Sequence, residues 1–173
     1  CEAELCPCPP DSNQKASEGM GDEMNPDLQM FGRSATVLSV IECPTKRDCY
    51  IGGHVYGKGG GVFATIASTR DGGRNWRKRK VGSGSNGDSE ILDISCWSAT
   101  CCLAVAKDDR GSQEVAISAL ARDGGLSWRN RRVAQAGSGT VFSVSCPEPR
   151  WCMAGGGNSS GTLLNSTNIA GKR

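Results

Sequence analysis

The apolar residues of this chain alternate with polar ones in short runs, and they do not recur at the spacing of an amphipathic helix. The clearest runs are VLSVIEC at residues 37–43, ILDISC at 91–96 and VFSVSC at 141–146. Alternation with a period of two is typical of a strand that has one face in a core and the other in solvent. The pattern therefore predicts an all-β fold made of short strands.

Two markers recur along the chain with one common period. A Cys-x5-Cys pair begins at residues 43, 96 and 146, and an Asp-Gly-Gly turn begins at residues 71 and 123. Two markers that share a period of about 50 residues indicate an internal repeat. The sequence therefore predicts three repeated units, at about 35–85, 86–137 and 138–173, which together form a repeat domain over residues 35–173.

Each unit reads as four short antiparallel strands joined by tight turns. The alternating run is the first strand, and a five-residue turn between the two cysteines leads into the second. A Gly-rich turn and a third strand follow, and the Asp-Gly-Gly turn then leads into a Trp-initiated fourth strand, WRKRKV at 76–81 or WRNRRV at 128–133. The prediction is thus three repeated four-stranded, blade-like units, of which the last lacks a recognisable final strand.

The chain has ten cysteines in 173 residues, and so many in a short chain favour disulfides over free thiols. Zinc is disfavoured, since the chain has one histidine and no Cys-x2-Cys pair. A short ring closed by such a bridge stabilises the fold by on the order of 2 kcal/mol. The predicted pairs are Cys43–Cys49, Cys96–Cys102 and Cys146–Cys152, and the pairing of Cys1, Cys6, Cys8 and Cys101 stays open.

The same cysteine content predicts an oxidising compartment, either secreted and extracellular or another oxidising lumen such as that of the thylakoid. No run of apolar residues is long enough for a transmembrane helix. Residues 1–34 form an acidic, Cys- and Pro-rich extension outside the repeat. Residues 1–30 carry seven carboxylates against one basic residue, Lys15, so their net charge is −6. Because the whole chain has a net charge of +2, residues 31–173 carry +8.

The turn sequences themselves are STRDGGRNW at 68–76 and LARDGGLSW at 120–128. Carboxylates in such a turn accept backbone N–H bonds, and the glycines allow positive φ. The two copies resemble the Asp-box, or BNR repeat, of sialidase-like and related β-propellers, in a secreted cysteine-hairpin form, although Asn75 and Ala121 depart from the Ser/Thr of that pattern. The predicted structural turn residues are Asp71, Gly72, Gly73, Trp76, Asp123, Gly124, Gly125 and Trp128.

The resemblance implies a propeller-like fold but not an enzyme. Propellers usually have four to eight blades, so three units imply a longer protein, self-association or a partner that covers an open edge. A sialidase would need three clustered arginines with a Tyr/Glu pair, whereas both tyrosines, Tyr50 and Tyr56, lie in one unit. His54 has no catalytic companion. We therefore expect no catalytic residues, no metal and no cofactor.

Two basic runs stand at equivalent positions of the first two units. Lys and Arg on outermost strands protect an edge from aggregation, and the same residues would also bind a glycan or another anionic ligand. Nucleic acid is disfavoured, because few aromatic residues are present to stack on bases. The candidate binding residues of these runs are Arg77, Lys78, Arg79, Lys80, Arg129, Arg131 and Arg132.

Trp97 and Trp151 lie inside the cysteine hairpins, in turns that we expect to be exposed, and they are the candidate sugar-stacking residues of a lectin. Asn158 and Asn165 each begin an N-glycosylation sequon.

The sequence thus favours a non-enzymatic scaffold or accessory subunit that binds a protein partner or forms a homo-oligomer. The alternatives are a repeat-propeller lectin and a lumenal propeller-like factor associated with a photosystem. Fold alone does not decide among them.

Overall fold

The structure, a computed structural model, describes residues 36–57, 60–81, 88–110, 113–132, 140–148, 151–157 and 162–165. Every regular element among these residues is a β-strand. No helix in the described part of the chain is long and apolar enough to cross a membrane. The strands are β1 (Thr36–Glu42), β2 (Cys49–Tyr56), β3 (Val62–Thr69), β4 (Arg77–Lys80), β5 (Ser89–Cys96), β6 (Cys102–Arg110), β7 (Gln113–Ala121), β8 (Arg129–Arg132), β9 (Thr140–Glu148), β10 (Trp151–Gly157) and β11 (Thr162–Asn165).

The strands form three antiparallel sheets. Sheet A has the order β1-β2-β3-β4, sheet B the order β5-β6-β7-β8, and sheet C, with three described strands, the order β11-β10-β9. The predicted all-β, antiparallel architecture is confirmed. The fourth strands of sheets A and B begin one residue after the tryptophans, at Arg77 and Arg129. A fourth strand in the third unit falls outside the described residues, as does the extension at 1–34, and both stay predictions.

Three disulfides close the loops between the first and second strands of the sheets. Their S–S distances are 2.10, 2.03 and 2.11 Å, and they join the predicted pairs Cys43–Cys49, Cys96–Cys102 and Cys146–Cys152. Cys101 is disulfide-bonded as well. Disulfides persist in oxidising compartments, so the predicted redox environment of the protein is confirmed.

Sheets A and B pack face to face at a glycine. Gly52 of β2 points toward sheet B, and a Cβ atom added to it would lie 2.6 Å from Cγ2 of Ile91. Only a residue without a side chain allows this close approach. The buried residues around the contact are Tyr50, Ala64, Ile66, Val81, Ile91, Ile94, Cys102, Ala104 and Ala106, and Val40, Cys96 and Trp128 pack against them.

Sheets B and C pack in the same way through the other face of sheet B. Leu103 and Val105 of β6 lie in one buried cluster with Val141 and Val144 of β9. In β6, therefore, alternate residues serve two cores, since successive side chains of a strand point to opposite faces. The described residues thus form two small cores between three sheets.

Hydrogen bonds tie the first strands of neighbouring sheets together. Ser39 Oγ donates to the carbonyl of Ile91 at 2.8 Å. Asp93 Oδ2 accepts from the Val144 N–H at 2.8 Å and from Ser143 Oγ at 2.9 Å. Strands β1, β5 and β9 therefore follow one another along a common side of the three sheets.

Because Ile91 fills the space above Gly52, we expect Ile91→Ala to destabilise the fold by about 2–5 kcal/mol. Urea unfolding monitored by circular dichroism measures the loss. Val37→Ala is the control, because the Val37 side chain is 42% exposed on β1 and its truncation should cost no more than about 0.5 kcal/mol. Equal losses for the two variants would show that the contact between sheets A and B is not a main source of stability.

Candidate interaction site

The outermost strands of sheets A and B form a strongly basic surface, here called the basic rim: Arg77, Lys78, Arg79 and Lys80 of β4, and Arg129, Arg131 and Arg132 of β8. All four β4 residues are exposed, and so is Arg129. Arg131 and Arg132 belong to β8, but their side chains lie outside the described part. Each strand is hydrogen-bonded on one side only within its sheet. The rim therefore presents cationic side chains on two strands that are outermost in their sheets among the described residues.

The turn before β4 fixes where the first basic strand begins. Asp71 Oδ1 accepts from the backbone N–H of Asn75 at 2.9 Å, and Oδ2 accepts from the Asn75 side-chain amide at 2.6 Å. Gly72 and Gly73 have φ of 73° and 92°, values that residues with a side chain rarely adopt. Trp76 Nε1 donates to the carbonyl of Gly73 at 2.9 Å, so this tryptophan covers its own turn.

The turn before β8 repeats this geometry with different residues. Asp123 accepts from the backbone N–H and the hydroxyl of Ser127, at 3.0 and 2.6 Å, and Gly124 and Gly125 have φ of 70° and 75°. Trp128 differs from Trp76, because it packs against the core between sheets A and B and meets the Tyr50 ring edge-on at 6.2 Å. In these two turns, then, one tryptophan covers its turn and the other enters a core.

Hydrogen bonds hold both turn carboxylates in the charged form. The side-chain and backbone N–H donors of Asn75 lower the pKa of Asp71 from 3.8 to about 2. Burial acts to raise the pKa of Asp123, but the Ser127 hydroxyl and the N–H groups of Ser127 and Leu126 hold it below its ordinary value. Donors that satisfy the ionised form stabilise it. The carboxylates of both aspartates therefore serve as hydrogen-bond acceptors within their own turns.

Two arginines of sheet A connect the rim across the gap between the sheets. Arg79 Nε donates to the carbonyl of Leu126 at 2.9 Å, and Arg70 donates from its guanidinium to the carbonyl of Asp123 at 2.7 Å. Both acceptors lie in the turn that leads into β8. These two hydrogen bonds therefore hold the strands β4 and β8 together as parts of one surface.

The ion pairs of the described residues lie outside the basic rim. The two ion pairs described meet at Glu90, whose carboxylate lies 3.4 Å from His54 Nδ1 and 3.6 Å from Lys107 Nζ. Neither includes a rim residue, and Lys80 instead lies over the Phe63 ring at 4.1 Å. A group of exposed cations on neighbouring strands produces a positive potential that attracts anions.

A groove of about 280 Å³ adjoins the rim on the face of sheet A that points away from sheet B. Its lining combines apolar side chains of β2 and β3 with two rim lysines. The lining residues are Val55, Tyr56, Gly57, Phe63, Thr65, Lys78 and Lys80.

The two candidate sugar-stacking tryptophans do not share an environment. Trp97 packs against the core between sheets B and C, and its Nε1 is buried without a hydrogen-bond partner among the described residues. The expectation that Trp97 lies in an exposed turn is therefore wrong, because the neighbouring sheet covers it. Trp151 is 54% exposed, but it belongs to β10 rather than to the turn.

The remaining candidate residues contribute nothing further to this site. The side chain of His54 is 12% exposed, and its Nδ1 contacts Glu90 without forming a hydrogen bond. The described residues hold no group of three or more His, Cys, Asp or Glu that could bind a metal ion. Asn158 lies outside the described residues, and so does the side chain of Asn165, the last residue of β11.

Sequence reasoning did not find the residues that join the two sheets behind the rim. Tyr50 is fully buried, donates its hydroxyl to the carbonyl of Ala99 at 2.6 Å and has a pKa raised to about 12 by burial and then by Asp48. Arg70 and Arg79 act through carbonyls about 50 positions away in the chain. The only sequence signal for such contacts is the repeat period itself, which is about that distance.

Comparison with known proteins places the fold and leaves the family open. No family model matches the chain, and no curated protein matches it. A solved structure, YCF48 bound to D1 peptide, superposes with a TM-score of 0.56 at 18% sequence identity, covering 82% of this chain and 40% of that chain. The chain thus spans less than half the length of that structure. The fold is propeller-like, with antiparallel sheets packed face to face.

The lowered pKa of Asp71 predicts how pH affects stability. Since the pKa of this group is about 2 in the folded protein and 3.8 in its unperturbed state, its contribution is fully present above pH 3.8 and is lost as pH falls toward 2. We expect Asp71→Asn to be less stable than the wild type at neutral pH and to approach it near pH 2. Thermal unfolding at several pH values measures this.

Glu148→Gln is the control for the loss of one exposed negative charge. A stability difference between Asp71→Asn and the wild type that stays constant down to pH 2 would contradict the hydrogen-bond account of the turn.

Proposed function

We propose that the protein is a non-enzymatic interaction module whose basic rim docks an acidic segment of a protein partner. The observation that carries the proposal is the exposed basic strand RKRK of β4, which lies beside exposed Arg129 of β8. Arg79 holds the two parts of the rim together through the carbonyl of Leu126.

The rim offers a peptide two kinds of contact. Its cations attract carboxylates over a distance set by the salt concentration. Its strands are outermost in their sheets among the described residues, and an extended peptide can join such a strand as an additional one. A peptide bound in this way would place alternate side chains near the cations, so acidic residues at every second position fit the rim best.

The comparison with YCF48, solved with a D1 peptide bound, supports a peptide-docking role for a fold of this kind. The specific form of the proposal is an accessory subunit of a larger assembly in an oxidising compartment, and a lumenal factor associated with a photosystem is its narrowest version. The competing explanation is edge protection, in which the cations only prevent aggregation of sheet edges. The two explanations differ in whether the cations contribute to affinity.

The lectin alternative has one supporting observation, the exposed ring of Trp151. Trp97 is partly buried against the core between sheets B and C, which reduces the second stacking surface that a repeated sugar site would need. A sulfated oligosaccharide is nevertheless the right comparison ligand, because it carries negative charge without a backbone that can extend a sheet.

A short fluorescent peptide with alternating Asp or Glu residues tests the proposal by fluorescence anisotropy, with its Asn/Gln counterpart and a heparin fragment as comparisons. We expect the acidic peptide to bind and to lose affinity steeply with salt, as the Debye length falls from about 30 Å at 0.01 M to about 3 Å at 1 M. Arg77→Glu combined with Arg129→Glu should weaken binding by roughly tenfold or more, since each exposed charge pair contributes up to about 1 kcal/mol.

Lys46→Glu combined with Arg47→Glu reverses the same number of charges at exposed positions of a cysteine loop that is not part of the rim, and is the matched control. Equal weakening by both double variants would indicate an effect of net charge alone and contradict docking at the rim. Binding of the heparin fragment without binding of the peptide would support the glycan alternative. If both ligands failed to bind and the rim variant aggregated, edge protection would explain the basic residues.

A further inference from the structure

The repeat gives each sheet equivalent positions at its contact with the next sheet. The residue five positions before the first hairpin cysteine packs over the residue three positions after the second. In the contact of sheet A with sheet B these residues are Ile91 and Gly52. In the contact of sheet B with sheet C they are Val141 and Val105, which share a buried cluster.

The sizes of the two residues are complementary in each contact. A large Ile lies over a Gly, and a Val lies against a Val. Cores tolerate changes that conserve total volume better than changes that do not. The contact of Ile91 with Gly52 therefore shows how a large side chain on one sheet fills the space left by a glycine on the other.

At the two outer faces of the three sheets, the equivalent positions have no packing partner among the described residues. On sheet A the position equivalent to Ile91 is Leu38, which is 47% exposed where Ile91 is fully buried. The next core position of β1, Ile41, is 63% exposed where its equivalents Ile94 and Val144 are 3% and 6% exposed. Leu38 and Ile41 pair with Gly53 and Ile51 of β2, so they lie on the face opposite to Gly52 and away from sheet B.

Sheet C leaves the complementary position open. The residue equivalent to Gly52 is Gly155 of β10, and a Cβ atom added there would meet no heavy atom of the described residues within 4 Å. Its neighbour on the same face, Met153, is partly exposed, whereas the equivalent Tyr50 and Leu103 are 0% and 1% exposed. Sheet C thus presents a flat glycine face and sheet A presents an exposed leucine.

We propose that the Leu38–Ile41 face of sheet A in one chain packs against the Gly155 face of sheet C in a second copy of this chain, so that two copies associate head to tail. Leu38 over Gly155 reproduces the pairing of Ile91 with Gly52. Contact between two sheet A faces would instead oppose Leu38 to Leu38, without a glycine to receive either side chain. The groove lined by Val55 and Phe63 lies on the same face of sheet A, as expected where a packed neighbour is missing.

Two copies would together bring six of the described sheets into one ring. Propellers usually have four to eight blades, and six is the only multiple of the three described sheets within that range. The two copies would therefore close through two identical junctions. These junctions centre on β1, at the edge of sheet A opposite to β4, and Leu38, Ile41 and Gly155, which carry the inference, are not rim residues, although the groove on the same face also includes Lys78 and Lys80 of the rim.

Sedimentation equilibrium of the full chain under non-reducing conditions tests the inference. We expect a mass of twice the chain mass of 18.1 kDa. Leu38→Glu and Gly155→Leu should each weaken the dimer by at least about 30-fold per junction, the equivalent of one buried leucine. Gly155→Ala, which adds a single methyl group, should weaken it less than Gly155→Leu, and Leu126→Glu is the matched control at an exposed leucine outside both faces.

A mixture of Leu38→Glu and Gly155→Leu tests the head-to-tail arrangement directly, because each variant retains one intact face. Leu38 of the Gly155→Leu chain can still pack on Gly155 of the Leu38→Glu chain, so an equimolar mixture should form heterodimers although each variant alone is monomeric. Circular dichroism confirms that both variants remain folded. A monomeric wild type over a wide concentration range, a dimer that Gly155→Leu leaves intact, or a mixture that stays monomeric would each overturn the head-to-tail inference.

Discussion

The structure depends on one repeated contact, in which an aliphatic side chain of an inner strand packs over a small residue on the second strand of the preceding sheet. Ile91 over Gly52 is the tightest example. Each sheet is thin and has few aromatic residues, so no sheet can bury a core by itself. Stability therefore comes from faces that pack against one another, as is general for repeat architectures.

The cysteine loops and acidic turns hold these faces in position from one end of the sheets. Each disulfide closes the loop between the first two strands, and each acidic turn donates a glycine N–H to that loop, from Gly72 to Arg47 and from Gly124 to Thr100. The second turn also receives Arg70 and Arg79 from sheet A. The outermost strands are thereby placed side by side, and the basic residues of two repeats become one surface.

Many of the local features were predictable because they depend on neighbours in the chain. The strands follow from alternation, the three disulfides from cysteine spacing, and the positive φ of four glycines from the Asp-Gly-Gly pattern. Trp97 was misplaced because a residue in a hairpin turn is exposed unless another sheet covers it, and the sequence does not say which turn meets a neighbour. The different environments of Trp76 and Trp128 were hidden for the same reason.

The sequence by itself determined the strand pattern, the pairing of six cysteines and the positions of the basic runs, since each is set by contacts over a few residues. Only the tertiary structure decided which faces meet, because that choice depends on side chains about 50 residues apart fitting one another in volume. It showed that Leu38 and Gly155 lack the neighbours that their equivalents have. It also showed that Arg79 joins two separate basic strands into one rim, through a carbonyl that no local pattern identifies.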